Sequence, residues 1–285
     1  MSQLVVSSNH YRWRKLLDKV MTLVAYLCAL AAIVPLALVL IYVAVKGLGA
    51  WSPQFFTGLP QLFGGGGGIS NAIIGTGMIV GLASIMGIPF GIMAGIYLAE
   101  YGDNYLGGFV RFIADTMTGI PSIVVGIFAY GLLVVNIGGY NAFAGAFSLA
   151  ILMVPTITRT TEEVIRLVPD SIREAALALG ASRWKTILRV VVPTALGGIL
   201  TGVLLSIARV AGETAPLIFT TLGNNFWSVD PTRPTAAVTL TIFQYAIWPY
   251  EHLHQQAWSA SLVLLMVVLL INLAVRFTVS QRSLR

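Results

Sequence analysis

The chain has 285 residues, of which 57% are hydrophobic and only 10% charged, with a mean hydropathy of +0.85. A soluble domain carries about 25% charge, so this composition excludes both an ordinary soluble fold and a disordered chain. Seventeen Lys and Arg against eleven Asp and Glu give a net charge of +6, whose meaning depends on where the basic side chains fall.

The first twenty residues place Arg12, Arg14, Lys15 and Lys19 ahead of an apolar run from Met21 to Val45. That run exceeds the roughly 7–15 residues of a cleavable signal's hydrophobic region, so it is expected to stay as a membrane helix. Segment 46–71 follows, an exterior loop whose five consecutive glycines, Gly64 to Gly68, precede no lysine. It is expected to be a flexible connector rather than a phosphate cradle. Five more apolar stretches come next: Ala72 to Leu98, Phe112 to Val135, Asn141 to Thr158, Ala195 to Phe219 and Ala257 to Val275. Each stretch is long enough to cross a hydrocarbon layer about 30 Å thick at about 1.5 Å per residue. Together the six contain three charges, Asp115, Arg209 and Glu213. Lipid satisfies no backbone donor or acceptor, so such runs must be helices. The fold class expected is therefore an all-α polytopic membrane protein with six transmembrane helices, its core at 72–275.

Placing residue 1 inside puts 14 of the 17 basic residues on one face, in segments 1–20, 99–111, 159–194 and 276–285. By the positive-inside bias both termini are expected in the cytoplasm. The net charge is thus a topology signal, not a nucleic-acid footprint. Cys28 has no partner for an internal disulfide, and Glu251, His252 and His254 are too few ligands for a metal site. Glycines spaced four apart, Gly77 and Gly81, then Gly87, Gly91 and Gly95, with Gly198 and Gly202, predict that the second and fifth spans are interior helices. Aromatic residues Trp227, Tyr245, Trp248, Tyr250 and Trp258 fit an outer interfacial belt.

The cytoplasmic loop 160–193 is patterned beyond what a connector needs. Pro169 and Asp170 stop one helix; Ser171 and Glu174 have capping-box spacing; the next helix runs through Ala175, Ala176 and Leu179 to Gly180, a natural C′ residue. Ser182 is placed to cap a further helix ending at Pro193. A short helix with a small-residue face suits docking into another protein's groove. Glu174-Ala175-Ala176, then Gly180, then Val190-Val191-Val192-Pro193 resembles the E-A-A-x3-G-x9-I-x-L-P loop of ABC importer permeases, with valines replacing the Ile and Leu. That resemblance implies a type I ABC importer permease fold. It also implies ATPase coupling through Glu174, Ala175, Ala176 and Gly180. The chain has no G-x4-G-K-[ST] sequence, so a motor must be a separate subunit.

Within the fifth span Arg209 and Glu213, at i and i+4, share one helical face, where pairing with each other is the alternative to lining a polar pathway. Each costs about 2.5–3.5 kcal/mol at a helix centre, so a polar pathway is the expected role, with Thr214 and Pro216 disturbing the helix at that level. The run from Ala208 to Leu217, A-R-V-A-G-E-T-A-P-L, resembles the PstA family of phosphate-importer permeases, as do Asp115 to Val124 and Arg159 to Glu163. The resemblance covers roughly residues 66–275 and implies a substrate pathway of Arg209, Glu213, Thr214 and, on a bland alternative an inner-face anchor, Arg159. It implies a non-catalytic permease in a prokaryotic plasma membrane. Implied partners are a PstC-like second permease, two PstB-like ATPases, a PstS-like extracytoplasmic binding protein, inorganic phosphate and membrane lipid. No cofactor is expected on this chain, ATP and Mg being bound by the partner ATPase. The exterior segment 222–256 departs from the family pattern, and the apolar run Ala236 to Trp248 is too short to span. Asp115 is expected to pair with Arg111, four residues earlier. A sulfate- or molybdate-type permease, a channel and a membrane-embedded enzyme are the alternatives.

Overall fold

The computed structural model describes residues 8–61 and 67–282, so most of the glycine run Gly64–Gly68, the first seven residues and Arg285 lie outside the described residues. In chain order the helices are α1 (Ser8–Gly47), α2 (Pro53–Thr57), α3 (Ser70–Tyr101), α4 (Tyr105–Gly119), α5 (Ser122–Ala129), α6 (Val135–Ile137), α7 (Ala142–Arg166), α8 (Asp170–Ala178), α9 (Arg183–Thr186), α10 (Val192–Ala211), α11 (Ala215–Thr220), α12 (Val238–Ile247) and α13 (Glu251–Arg282). Single π-turns, Tyr130–Val134 and Ile187–Val191, join α5 to α6 and α9 to α10. Among the described residues there is no strand; one isolated bridge links Leu222 and Thr235.

Five of these segments are long and apolar enough to cross a membrane: Tyr11–Ala50, Ser70–Tyr101, Ala142–Arg166, Arg183–Ala211 and Glu251–Leu273. The expected third span is not one helix. Tyr105–Gly119 and Ser122–Ile137 meet at a 102° bend. Its cause is local: Pro121 lacks the N–H that would continue the helix and forces Ile120 out of the α region, to ψ 129°. The bent pair is nonetheless a return crossing. Gly87, Gly91 and Gly95 of α3 lie against Met153, Ile157 and Thr161 of α7, ascending together, so α3 and α7 run parallel. Two parallel neighbours in sequence require the intervening chain to cross back. Gly198 and Gly202 of α10 lie against Val164 and Thr160, in descending order, so α10 is antiparallel to α7. With the bent pair counted as one crossing, the described residues hold six candidate spans.

This arrangement corrects the expected centre of the bundle. The helix most enclosed is the fourth span, α7, with 67% of its apolar window buried against 28% for α3 and 33% for Arg183–Ala211. The glycines of the second and fifth spans are the notches into which α7 fits. A Cβ on Gly91 would lie 2.7 Å from the Ile157 Cβ, whereas one on Gly77 or Gly81 would meet nothing within 4 Å. Gly91→Ala should therefore destabilise by about 1–3 kcal/mol through overpacking, and Gly77→Ala should not; thermal-aggregation midpoints of the two purified variants check this.

Pro193 does not end its helix as expected. The π-turn before it shifts the hydrogen-bond ladder, Val192 N donating to Ile187 O, so Pro193 enters the first turn of α10, where its missing N–H costs nothing. The segment after α11, expected to be atypical, is structural. Pro231 and Arg233 carbonyls accept from the N–H groups of Phe143 (2.9 Å) and Ala142 (3.1 Å), capping α7, and Thr76 Oγ1 accepts from Val238 N at 2.9 Å. Asp230 in this loop is held below the usual carboxylate range by Thr232, through its hydroxyl and its backbone N–H, and secondarily by Arg233. Tyr245 is buried at 4% exposure, a core residue rather than part of an outer aromatic belt, whereas Trp227 is exposed and Trp258 packs edge-on against Tyr42.

Candidate functional site

Arg209 and Glu213 are not paired with each other. The helix carrying Arg209 stops at Ala211, and the chain turns through Gly212, whose N–H donates to Arg209 O at 3.1 Å; Glu213 N donates to Val210 O at 3.1 Å. Glu213 consequently leaves the helical face it would have shared with Arg209, and no ion pair joins them. Thr239 Oγ1 of α12 donates to Glu213 O at 3.0 Å, fixing the break. Beyond it α11 is pinned by Pro216 against Gly126, where a Cβ would lie 2.6 Å from the proline Cα. Thr214 occupies the N-cap position of α11 without a side-chain capping bond.

Arg209 is exposed although Ala208 and Val210 on either side are buried, so its guanidinium points to a side this chain does not cover. Among the described residues it has no ion-pair partner. An unpaired guanidinium at this depth opposes insertion by about 2.5–3.5 kcal/mol and calls for an anion or a wet cleft. A cavity of about 480 Å³ adjoins the same break, between Gly212, Thr214, Thr239, Ser261, Leu264 and Val268. Its lining is mostly apolar with three hydroxyls and no charge. An anion fits the Arg209 side, not this cavity.

Arg159 is differently placed. Its Nε lies 2.9 Å from Asp115 Oδ1 and its Nη1 2.8 Å from Glu162 Oε2. Asp115 thus pairs with Arg159 rather than with Arg111. Arg111 Nε instead meets Glu162 Oε1 at 2.6 Å, while its two Nη atoms donate to Gly102 O (3.0 Å) and Leu98 O (2.9 Å). Arg166 Nη2 adds a third contact to Glu162 at 3.1 Å. Glu162, 3% exposed, is the hub of the cluster. Its spacing from Arg159 and Arg166, at i−3 and i+4, was readable in the sequence; Arg111 came from another helix and left no local signal. With Gly202 level with Thr160 on an antiparallel neighbour, Arg209 is level with residue 153, about 9 Å along the bundle axis from Arg159.

The loop between α7 and α10 presents the third group. Helix α8 starts at Asp170 after Pro169, with no side-chain cap, so the expected Ser171–Glu174 capping box does not form and Glu174 is exposed. Ser182 holds the N-cap position of α9, also without a side-chain bond. Gly180 behaves as expected: at φ +83° it is the C′ residue of a Schellman ending, with Gly180 N donating to Leu177 O (2.9 Å) and Ala181 N to Ala176 O (3.2 Å). The E-A-A residues divide. Ala176 is buried against the protein, while Glu174 and Ala175 face out beside exposed Leu177, Leu179 and Trp184.

Residues 87–281 match the family described as binding-protein-dependent transport system inner membrane component. The chain is 42% identical, over 95% of its own length and 92% of the relative's, to a phosphate transport system permease protein PstA of Yersinia pestis. It is 40% identical to that of Pasteurella multocida, over 98% of this chain and all of the relative. An archaeal relative, the probable phosphate transport system permease protein PstA of Methanocaldococcus jannaschii, is 36% identical over 94% of this chain and 96% of its own length. Among solved structures, the inward-facing MetNI methionine ABC transporter superposes with a TM-score of 0.61 at 18% identity, covering 75% of this chain and 96% of that one. A bacterial ABC transporter involved in alginate import gives 0.62 at 16% identity, over 94% and 99%.

Proposed function

We infer, since the chain belongs to the family of binding-protein-dependent transport system inner membrane components and lies among its PstA proteins, that it is the multi-pass permease subunit of an ATP-driven phosphate importer. It is a non-catalytic component of a plasma-membrane transporter. Phosphate, delivered outside by a PstS-like binding protein, passes between this chain and a PstC-like permease. PstB-like ATPases, which bind ATP and Mg, dock on α8 in the cytoplasm, the side to which both termini belong.

The observation that carries the pathway is the exposed, unpaired Arg209 at a helix break. Its planar fork of donors suits two oxygens of a phosphate, and the second permease would cover the side this chain leaves open. Glu213 and Thr214 line the same unwound turn. Arg159, neutralised by Asp115 and Glu162, anchors the bundle on the cytoplasmic side of that point. Glu174, Ala175 and the exposed Leu177 and Leu179 supply the docking face, and Gly180 gives its sharp end.

The assembled complex in lipid should hydrolyse ATP faster with phosphate-loaded than with empty binding protein, and sulfate should give no such stimulation. Equal stimulation by sulfate would replace this reading with that of a sulfate- or molybdate-type permease.

A further inference from the structure

Glu100 sits in the last turn of α3, its side chain only 8% exposed, 73 residues from its partner Arg173 in the first turn and a half of α8. Arg173 Nε and Nη2 both donate to Glu100 Oε1, at 3.2 and 3.0 Å. Nη2 also donates to Ile165 O at 2.9 Å, and Nη1 to Val168 O and to Asp170 Oδ1 at 3.1 Å. All five guanidinium hydrogens are thereby used. The second limb of the loop reaches the same turn: Arg183 Nη2 donates to Glu100 O at 2.8 Å and its guanidinium lies 4.7 Å from the Tyr101 ring centre. Both limbs of the α8 loop are therefore fastened to one turn of α3. Glu174 and Ala175, turned away from Arg173 on α8, are exposed, as is Leu177.

We propose that Glu100, Arg173 and Arg183 form a clasp that transmits displacement of α8 into α3, with Glu100 and Arg173 acting as positioning residues for coupling. The mechanics follow from the packing. α3 is seated along α7 through its glycine notches, so it moves as a rod, and a pull on its end reaches the whole length of the bundle. A docking helix held only by flexible chain would move without carrying the spans with it. An ion pair whose carboxylate is 8% exposed and whose guanidinium hydrogens are all bonded resists such slippage, because separating it strands a charge away from water.

The proposal rests on α8 being the docking element, and the test separates the two. The whole complex, with its ATPase and binding protein, is placed in proteoliposomes carrying wild-type chain, Glu100→Gln, Arg173→Gln, or Glu100→Cys/Arg173→Cys made with Cys28→Ser. Co-purifying ATPase, the rate of ATP hydrolysis and phosphate carried per ATP are measured. The clasp variants should retain the ATPase at the wild-type ratio and hydrolyse ATP, yet carry at least tenfold less phosphate per ATP. Joining the cysteine pair with a short bis-maleimide should restore the ratio. Wild-type phosphate per ATP in the single variants, loss of phosphate transport only in step with loss of bound ATPase, or no recovery on bridging would each overturn the clasp. A wild-type chain that retains no ATPase would overturn the docking reading, and the clasp with it.

Discussion

Arg209→Gln should lower phosphate uptake by about 100-fold or more in cells or vesicles that contain normal amounts of the assembled complex. Each charge-assisted hydrogen bond is worth about 1.5–3 kcal/mol, and two to one anion account for that loss. Arg209 has no structural partner to abandon: it is exposed, and its side chain is in no ion pair with the described residues. Removing its charge should therefore leave the fold, the membrane abundance and the bound ATPase unchanged. Uptake within twofold of wild type would remove Arg209 from the pathway. Arg209→Lys should recover only part of the activity, since an ammonium keeps the charge and loses the planar two-point contact.

Glu162→Ala should be among the most destabilising substitutions in the protein, by about 3–5 kcal/mol, the cost of breaking a buried ion pair from one side. The carboxylate lost is 3% exposed, accepts from Arg111 and Arg159 and is ion-paired with Arg166; its loss leaves three guanidiniums crowded at the junction of α3, α4 and α7. Asp103 touches two of the same arginines at 3.9 and 3.7 Å but is 97% exposed, so Asp103→Ala should cost no more than about 1 kcal/mol. Thermal-aggregation midpoints in detergent compare the two. Similar shifts for both variants would show that the charges act through bulk electrostatics and that Glu162 is no hub.

What the sequence conveyed depended on how far each signal reaches along the chain. Span number came through because apolar length is a property of contiguous residues, and Gly180 came through because a C′ position with φ near +83° is demanded by its own turn. Failures arose wherever helical continuity was assumed. Arg209 and Glu213 share a face only if the helix runs on past Ala211, and Gly212 ends it. Ser171 caps only if the helix begins after it, but Asp170 already belongs to α8. Pro193 breaks only a regular ladder, and the π-turn removes the regularity. Spacing of four identified the glycine notches at Gly87, Gly91 and Gly95 yet could not say where the seam stops, so Gly77 and Gly81 were included although they face away from it. Glu162 was visible as a neighbour of two arginines; the third, Arg111, lies 51 residues earlier, and no periodicity spans that distance.

The bend at Ile120 and Pro121 also has a place in time. As it leaves the ribosome, the stretch from Tyr105 to Ile137 is one apolar segment, and neither half alone matches the bilayer: α4's 15 residues rise only about 22 Å. The insertion machinery must therefore admit it as a single crossing. The contacts that hold α5 at its angle are made by α7 beside it and by Pro216 against Gly126, and Pro216 has not been synthesised when the segment enters. The break at Pro121 is local, but the packing that fixes its angle is thus a late event. This crossing waits, incompletely packed, until roughly eighty further residues have been made, and an early stop in translation leaves it without the Pro216 contact that fixes its shape.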